Sequence, residues 1–294
     1  MRVNPNTTPD LLSSLDRSLE QQNNDLIELS SGRRVNTPSD DPAAAAQLIQ
    51  NLDQVARTDS FQSGAGTING QLQTADSTLS SVVTALQRAM TLGIEGANGT
   101  LSDSNRAAVA AELQGIQNQL VSLANTSYQG KYIFSGTAQI QPYVADTTAP
   151  SGVRYDGNAG VNTVAIGTGY NLQVNLPGSQ LFSAPQGDVF QAMHDLISAI
   201  TSNNGIEAAA DEVSTAFNYV TGQRVFYGNG MNQITAQQTF LNSTQTQLAS
   251  QQNTLVGADI AAVASDLVNT ETARTAALSA IGRQPPVSLF DYLA

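Results

Sequence analysis

Ser30-Ser31-Gly32-Arg33-Arg34-Val35-Asn36-Thr37-Pro38-Ser39-Asp40-Asp41-Pro42-Ala43 closes one helix and opens another. Gly32 suits the position just past a helix end, where the backbone turns left-handed. Pro38 keeps Thr37 out of helical geometry. Asp41 can accept from the first free N–H groups of a following helix, and Pro42 loses nothing at its first position. The stretch therefore predicts a helix ending near Ser31, an extended spoke, and a second helix leaving from Asp41.

Upstream, Leu12, Leu15, Leu19, Gln22, Leu26 and Leu29 follow at steps of three and four, a heptad seam with one polar break at Gln22. Burying five leucines stabilises by roughly 8–15 kcal/mol. Ordering the segment costs roughly 20–40 kcal/mol of backbone entropy, only partly offset by helix hydrogen bonds. One such stripe is marginal alone and needs a second helix, from within or outside the chain.

Downstream, Phe61, Ala65, Ile68, Leu72, Ala75, Leu79, Val82, Leu86 and Ala89 continue the alternation in a long helix. Gly64, Gly66 and Gly70 weaken it and are read as places where another helix comes close. Gly93, Gly96, Asn98 and Gly99 mark a turn. Val109, Leu113, Ile116, Leu120 and Leu123 stripe a third helix, so the two read as an antiparallel hairpin. From Tyr128 to about Pro185 the period changes to that of strands, with Asp156-Gly157 and Gly167-Thr168-Gly169 as turns. Helices resume with Val189, Phe190, Met193, Leu196, Ile197 and Ile200, then with Val213, Phe217, Val220 and Val225. Gly228-Asn229-Gly230 is read as a bend or break. Ile234, Leu241, Leu248 and Leu255 recur every seven residues, and Val256, Ile260, Val263, Leu267, Leu278 and Ile281 stripe a final helix. Val287, Leu289, Phe290, Tyr292 and Leu293 form an apolar tail fit to dock on a partner.

The fold class expected is mainly α with an inserted β domain, long coiled-coil helices coming from both termini. The domains expected are residues 1–38 plus 256–294 as an inner coiled-coil domain, 39–138 plus 205–255 as a helical-rod domain, and 139–204 as an outer, mostly β domain.

Composition narrows the function. The 294 residues carry a net charge of −12, with no tryptophan, no cysteine and aromatics at only 5%. That suits long helices with thin apolar stripes. Lys131 is the only lysine and no basic stripe is present, which argues against nucleic acid. There is no apolar run long enough for a membrane span and no signal-peptide pattern at the N-terminus. His194 is the only histidine, so no zinc set can be assembled. Asp40-Asp41 is better explained by capping than by metal or acid–base work. Asp156-Gly157-Asn158-Ala159-Gly160 lacks calcium-loop spacing. No nucleophile–base set stands out, so neither an enzyme nor a cofactor is expected. Arg33 and Arg34 are either anchors for a partner's carboxylate or solvated.

Four blocks carry a family resemblance. Leu29 to Asn36 followed by Asp40-Asp41-Pro42-Ala43 resembles the N-terminal signature of bacterial flagellins and their junction proteins. Gly130-Lys131-Tyr132-Ile133-Phe134-Ser135-Gly136-Thr137 is similar to a motif of the hook–filament junction branch. Gly222-Gln223-Arg224-Val225 through Asn232-Gln233-Ile234 resembles the return into the C-terminal helices, with Gln223 where the family often has Ala. Ala258-Asp259-Ile260-Ala261 and Ser288-Leu289-Phe290-Asp291-Tyr292-Leu293 resemble the terminal helix and tail of junction proteins. The insert from 140 to 185 carries little family signal.

The resemblance implies a secreted, extracellular structural component of the bacterial flagellum, exported by the type III system without a cleaved signal. It implies a helical homo-assembly that links hook-associated protein 1 to flagellin, with an export chaperone before assembly and no membrane insertion. A filament-forming flagellin is the alternative. The candidate assembly residues are Leu12, Leu15, Leu19, Leu26, Leu29, Arg33, Arg34, Ile260, Val263, Leu267, Leu278, Ile281, Phe290 and Tyr292. The first five are expected to pair with Ile260, Val263, Leu267, Leu278 and Ile281, completing their burial on assembly.

Overall fold

A computed structural model describes residues 7–98 and 101–283. Its helices are α1 (Thr7–Ser31), α2 (Pro42–Gly96), α3 (Asp103–Ala124), α4 (Gly178–Leu181), α5 (Val189–Ser202), α6 (Ile206–Val256) and α7 (Ile260–Arg283). Six short strands lie between α3 and α4: β1 (Ser127–Tyr128), β2 (Lys131–Tyr132), β3 (Tyr143–Ala145), β4 (Val153–Tyr155), β5 (Thr163–Gly167) and β6 (Tyr170–Gln173). The architecture is mainly α, with long helices near both ends and small antiparallel sheets. The chain forms two compact units, residues 1–57 with 243–294 and residues 58–242. Helices α2 and α6 each contribute to both.

In the central unit, 58–242, the predicted stripe of α2 is the core. Ala65, Ile68, Leu72, Ala75, Leu79, Val82, Leu86 and Ala89 are all buried, and Leu92 extends the row. Val109, Leu113, Ile116 and Leu120 of α3 join the same core, and Arg88 pairs with Glu112 between the two helices. Helix α6 is continuous through Gly228-Asn229-Gly230. Val213, Val220, Tyr227, Ile234 and Leu241, seven residues apart, are buried along it. Val225, expected among the core residues, is 60% exposed because it falls off that row. Asp76 of α2 and Arg224 of α6 pair through two contacts of 2.9 and 3.0 Å.

The β segment is three separate two-stranded hairpins packed on this core. Gly167-Thr168-Gly169 makes the β5–β6 turn, with Gly169 at a φ of 73°. Asp156-Gly157 is not a hairpin turn: β3 pairs with β4 with Tyr143 opposite Tyr155, and Asp156 follows the pair. Phe134, Tyr143, Tyr155, Phe182 and Phe190 form an aromatic cluster beneath. Burial pushes the Tyr143 and Tyr227 hydroxyls well above the usual tyrosine range. Buried Asn175 donates to Gly136 O and Gly160 O, tying the loops together. The helical glycines play a different part from the one expected. Gly64 and Gly66 face open space, and Gly70 faces the Tyr128 ring of a hairpin, not a helix.

Candidate assembly surface

The terminal unit is built around the spoke between α1 and α2. Gly32 adopts a φ of 67°, and its N–H donates to Glu28 O at 2.8 Å, closing α1 as its lack of a side chain allows. The chain then runs against the end of α6. Arg34 N donates to Val256 O at 2.8 Å and Ala258 N to Gly32 O at 3.0 Å. Asp40 accepts from the N–H groups of Asn36 and Thr37 at 2.9 and 2.8 Å and from the Thr37 hydroxyl at 2.7 Å. Those donors, the Thr37 hydroxyl foremost, hold its carboxyl below the usual range. Asp41 caps α2 by accepting from Ala44 N at 3.0 Å, which with the Arg34 guanidinium lowers its pKa as well. Beneath the spoke, Val35, Ala44 and Val256 are buried together.

Arg34 is an internal strut. Its guanidinium reaches Asp41 Oδ2 and Leu255 O, each at 3.1 Å. Arg33 pairs with Gly257 through its backbone, and its side chain is exposed.

Helix α1 packs on α7, and the residues facing inward differ from the leucine seam read in the sequence. Leu15 and Leu19 are half-buried, as is Leu267, and Val263 is buried. Between them lie Ser18, Gln22 and Asp25 on α1 and Thr270, Arg274 and Ala277 on α7. Ser18 Oγ donates to Thr270 O at 3.4 Å, and Arg274 Nη1 donates to Gln22 Oε1 at 3.2 Å. Asp25 is buried; Oδ1 accepts from Gln21, and Oδ2 has no hydrogen-bond partner among the described residues. Partial burial, then the Asp25 carboxylate, raises the pKa of Glu28.

Five of the other candidates are exposed. Leu12, Leu26, Ile260 and Leu278 are each about half exposed, and Leu29 is also exposed. Ile27 on α1 and Val268 on α7 add to this surface. Ile281 lies in α7, with only its backbone described. Phe290 and Tyr292 lie outside the described residues. Gln22 is the polar break of the expected heptad, but Ser18, Asp25, Thr270 and Arg274 were missed because an apolar pattern search passes over polar residues. Their spacing, 18-22-25 and 263-267-270-274-277, is itself helical and would have found the seam.

No helix among the described residues is long and apolar enough to cross a membrane, and no group of three metal-ligating side chains occurs among them.

Residues 6–139 match the family described as the bacterial flagellin N-terminal helical region. Flagellar hook-associated protein 3 of Salmonella typhimurium is 33% identical over 159 residues, covering 53% of this chain and 49% of that protein. The Escherichia coli protein of the same name is 39% identical over 110 residues, covering 37% of this chain and 35% of that protein. The matched stretch thus spans half or less of the length of these relatives. The structure of flagellar hook-associated protein 3 from Legionella pneumophila superposes with a TM-score of 0.62 at 16% identity, covering 70% of this chain and 98% of that one. Over residues 6–139 the chain is thus similar to the bacterial flagellin N-terminal helical region, and its fold resembles that of the solved flagellar hook-associated protein 3.

Proposed function

We propose that this chain is a structural junction component of the bacterial flagellum, joining a hook-side protein to the flagellin filament by assembling through its terminal helices. One observation carries the reading. The α1–α7 pair closes on a largely polar seam and leaves Leu12, Leu26, Leu29, Ile260 and Leu278 exposed. Covering the exposed half of each contributes about 1 kcal/mol. Unpartnered apolar faces of this kind mark interaction surfaces. Head-to-tail contacts between copies then build a ring or helix without a two-fold axis.

Arg33 belongs to the same surface, with Arg34 as its brace, and the Phe290–Tyr292 tail docks on an export chaperone before assembly. In this reading residues 1–38 and 256–294 form the inner part of the assembly, 39–138 and 205–255 the rod, and 139–204 the outward part. Export through the type III apparatus, for which a chain without disulfides is suited, places it outside the cell on the flagellum. The partners are hook-associated protein 1, flagellin and further copies of this chain.

Negative-stain microscopy tests the role. Purified chain, flagellin monomer and hooks capped with hook-associated protein 1 are combined. The expected result is filament growth only on hooks that have received this chain, and no long fibres from the chain alone. Long fibres from the chain alone would make it a flagellin.

A further inference from the structure

In the central unit, α2, the β1–β2 hairpin and the β5–β6 hairpin enclose a cleft of about 340 Å³. The Gln71, Gln129 and Gln139 amides, the Tyr132 ring and Lys131 line it. No carboxylate does, in a chain of net charge −12. Lys131 is exposed and forms no ion pair among the described residues. Ile140 and Val161, chain neighbours of the cleft-lining Gln139 and Asn162, are 51% and 48% exposed. The cleft thus presents a lone cation in an otherwise uncharged lining.

The far end of α2 carries the complement. Ile94 is 73% exposed, more than any other large apolar residue described. Glu95 beside it is exposed and also forms no ion pair among the described residues. Of the exposed large apolar residues in this unit, Ile94 alone has a carboxylate as chain neighbour. Gln71 and Ile94 stand on one helix about 35 Å apart at 1.5 Å per residue. One copy cannot fill its own cleft with this end, so the two features can meet only between copies.

We propose that the Ile94–Glu95 end of one copy seats in the Lys131 cleft of a second copy. Glu95 pairs with Lys131, and the contact covers the exposed Ile94 beside it. The contact is heterologous, so a joined pair keeps a free cleft on one copy and a free helix end on the other. This inference rests on the reading that the chain works by assembling.

The absence of cysteine makes the contact measurable. Full-length Glu95→Cys and Lys131→Cys variants are mixed in equal amounts and oxidised with a copper catalyst. Ser198→Cys, exposed on α5, replaces Lys131→Cys as control. The expected result is a mixed 95–131 dimer forming at least tenfold faster than the 95–198 dimer; equal rates overturn the proposal. Light scattering of the charge variants keeps the test open if a cysteine variant misfolds. Glu95→Lys is expected to weaken self-association and the added Lys131→Glu to restore it; no restoration overturns the contact. Equal cross-linking rates with intact filament growth on hooks would remove this contact and leave the junction role standing. Fast cross-linking by a chain that hooks never accept would do the reverse.

Discussion

Arg274 of α7 donates to the side-chain oxygen of Gln22 on α1, at 3.2 Å, where the leucine heptad shows its polar break. The terminal pair is therefore latched by polar groups as well as packed through Leu15, Leu19, Val263 and Leu267. Removing Arg274 alone leaves the part-buried Gln22 oxygen without its donor, which costs about 1–3 kcal/mol. Arg274→Ala is expected to speed proteolytic cleavage within α1 of the free chain. The double variant Gln22→Leu/Arg274→Leu replaces both partners with apolar groups and is expected to slow it below the parent rate. Unchanged cleavage in both variants would contradict the latch.

Arg224 grips Asp76 with two donors between α6 and α2. The hydrogen bond to Asp76 holds the Arg224 pKa above its ordinary value. Both side chains are less than a third exposed. Bidentate pairs of this kind are the strong ones. Arg224→Ala is expected to lower unfolding free energy by about 1–2 kcal/mol in a denaturant titration. Arg224→Lys recovers only part of it, because a lysine cannot reproduce the two-pronged geometry.

Asp188 caps α5 by accepting from Phe190 N and Gln191 N at 3.0 and 2.9 Å. Burial, the dominant influence, raises its pKa, and those two N–H groups work against the rise. The folded chain therefore holds a proton that the unfolded chain has already released. Its contribution to stability is fully present below the unfolded pKa, about 3.9, and is lost as pH rises through the folded value. Asp188→Asn keeps a capping oxygen and cannot titrate. Parent stability measured against this variant is expected to fall as pH is raised from about 4 toward neutrality. A difference independent of pH would contradict the assignment.

The long helices were legible because their apolar residues repeat without interruption over many turns, as from Ala65 to Ala89 on α2. Gly32 and Asp41 were legible because each performs a terminal task that few residues can. The continuity of α6 was not. Gly228-Asn229-Gly230 reads as a break, yet Tyr227 and Ile234 are buried on either side and hold the helix through it. Tertiary packing overrode local propensity there. The α1–α7 seam was legible only in part. Leu15, Leu19 and Gln22 of the expected heptad are half-buried, while Ser18 and Asp25, outside it, turn inward with them. The most apolar face of a helix need not be the one its own chain covers.

Co-sedimentation with hooks tests the outward leucines most directly. Leu26 and Leu29 are exposed in the free chain, so Leu26→Glu/Leu29→Glu is expected to change its unfolding free energy by less than about 1 kcal/mol. The account predicts that the parent pellets with hooks capped by hook-associated protein 1, while this variant, with an unchanged circular dichroism spectrum, stays in the supernatant. A variant that pellets as fully as the parent would contradict the claim that the terminal helices assemble through their exposed leucines.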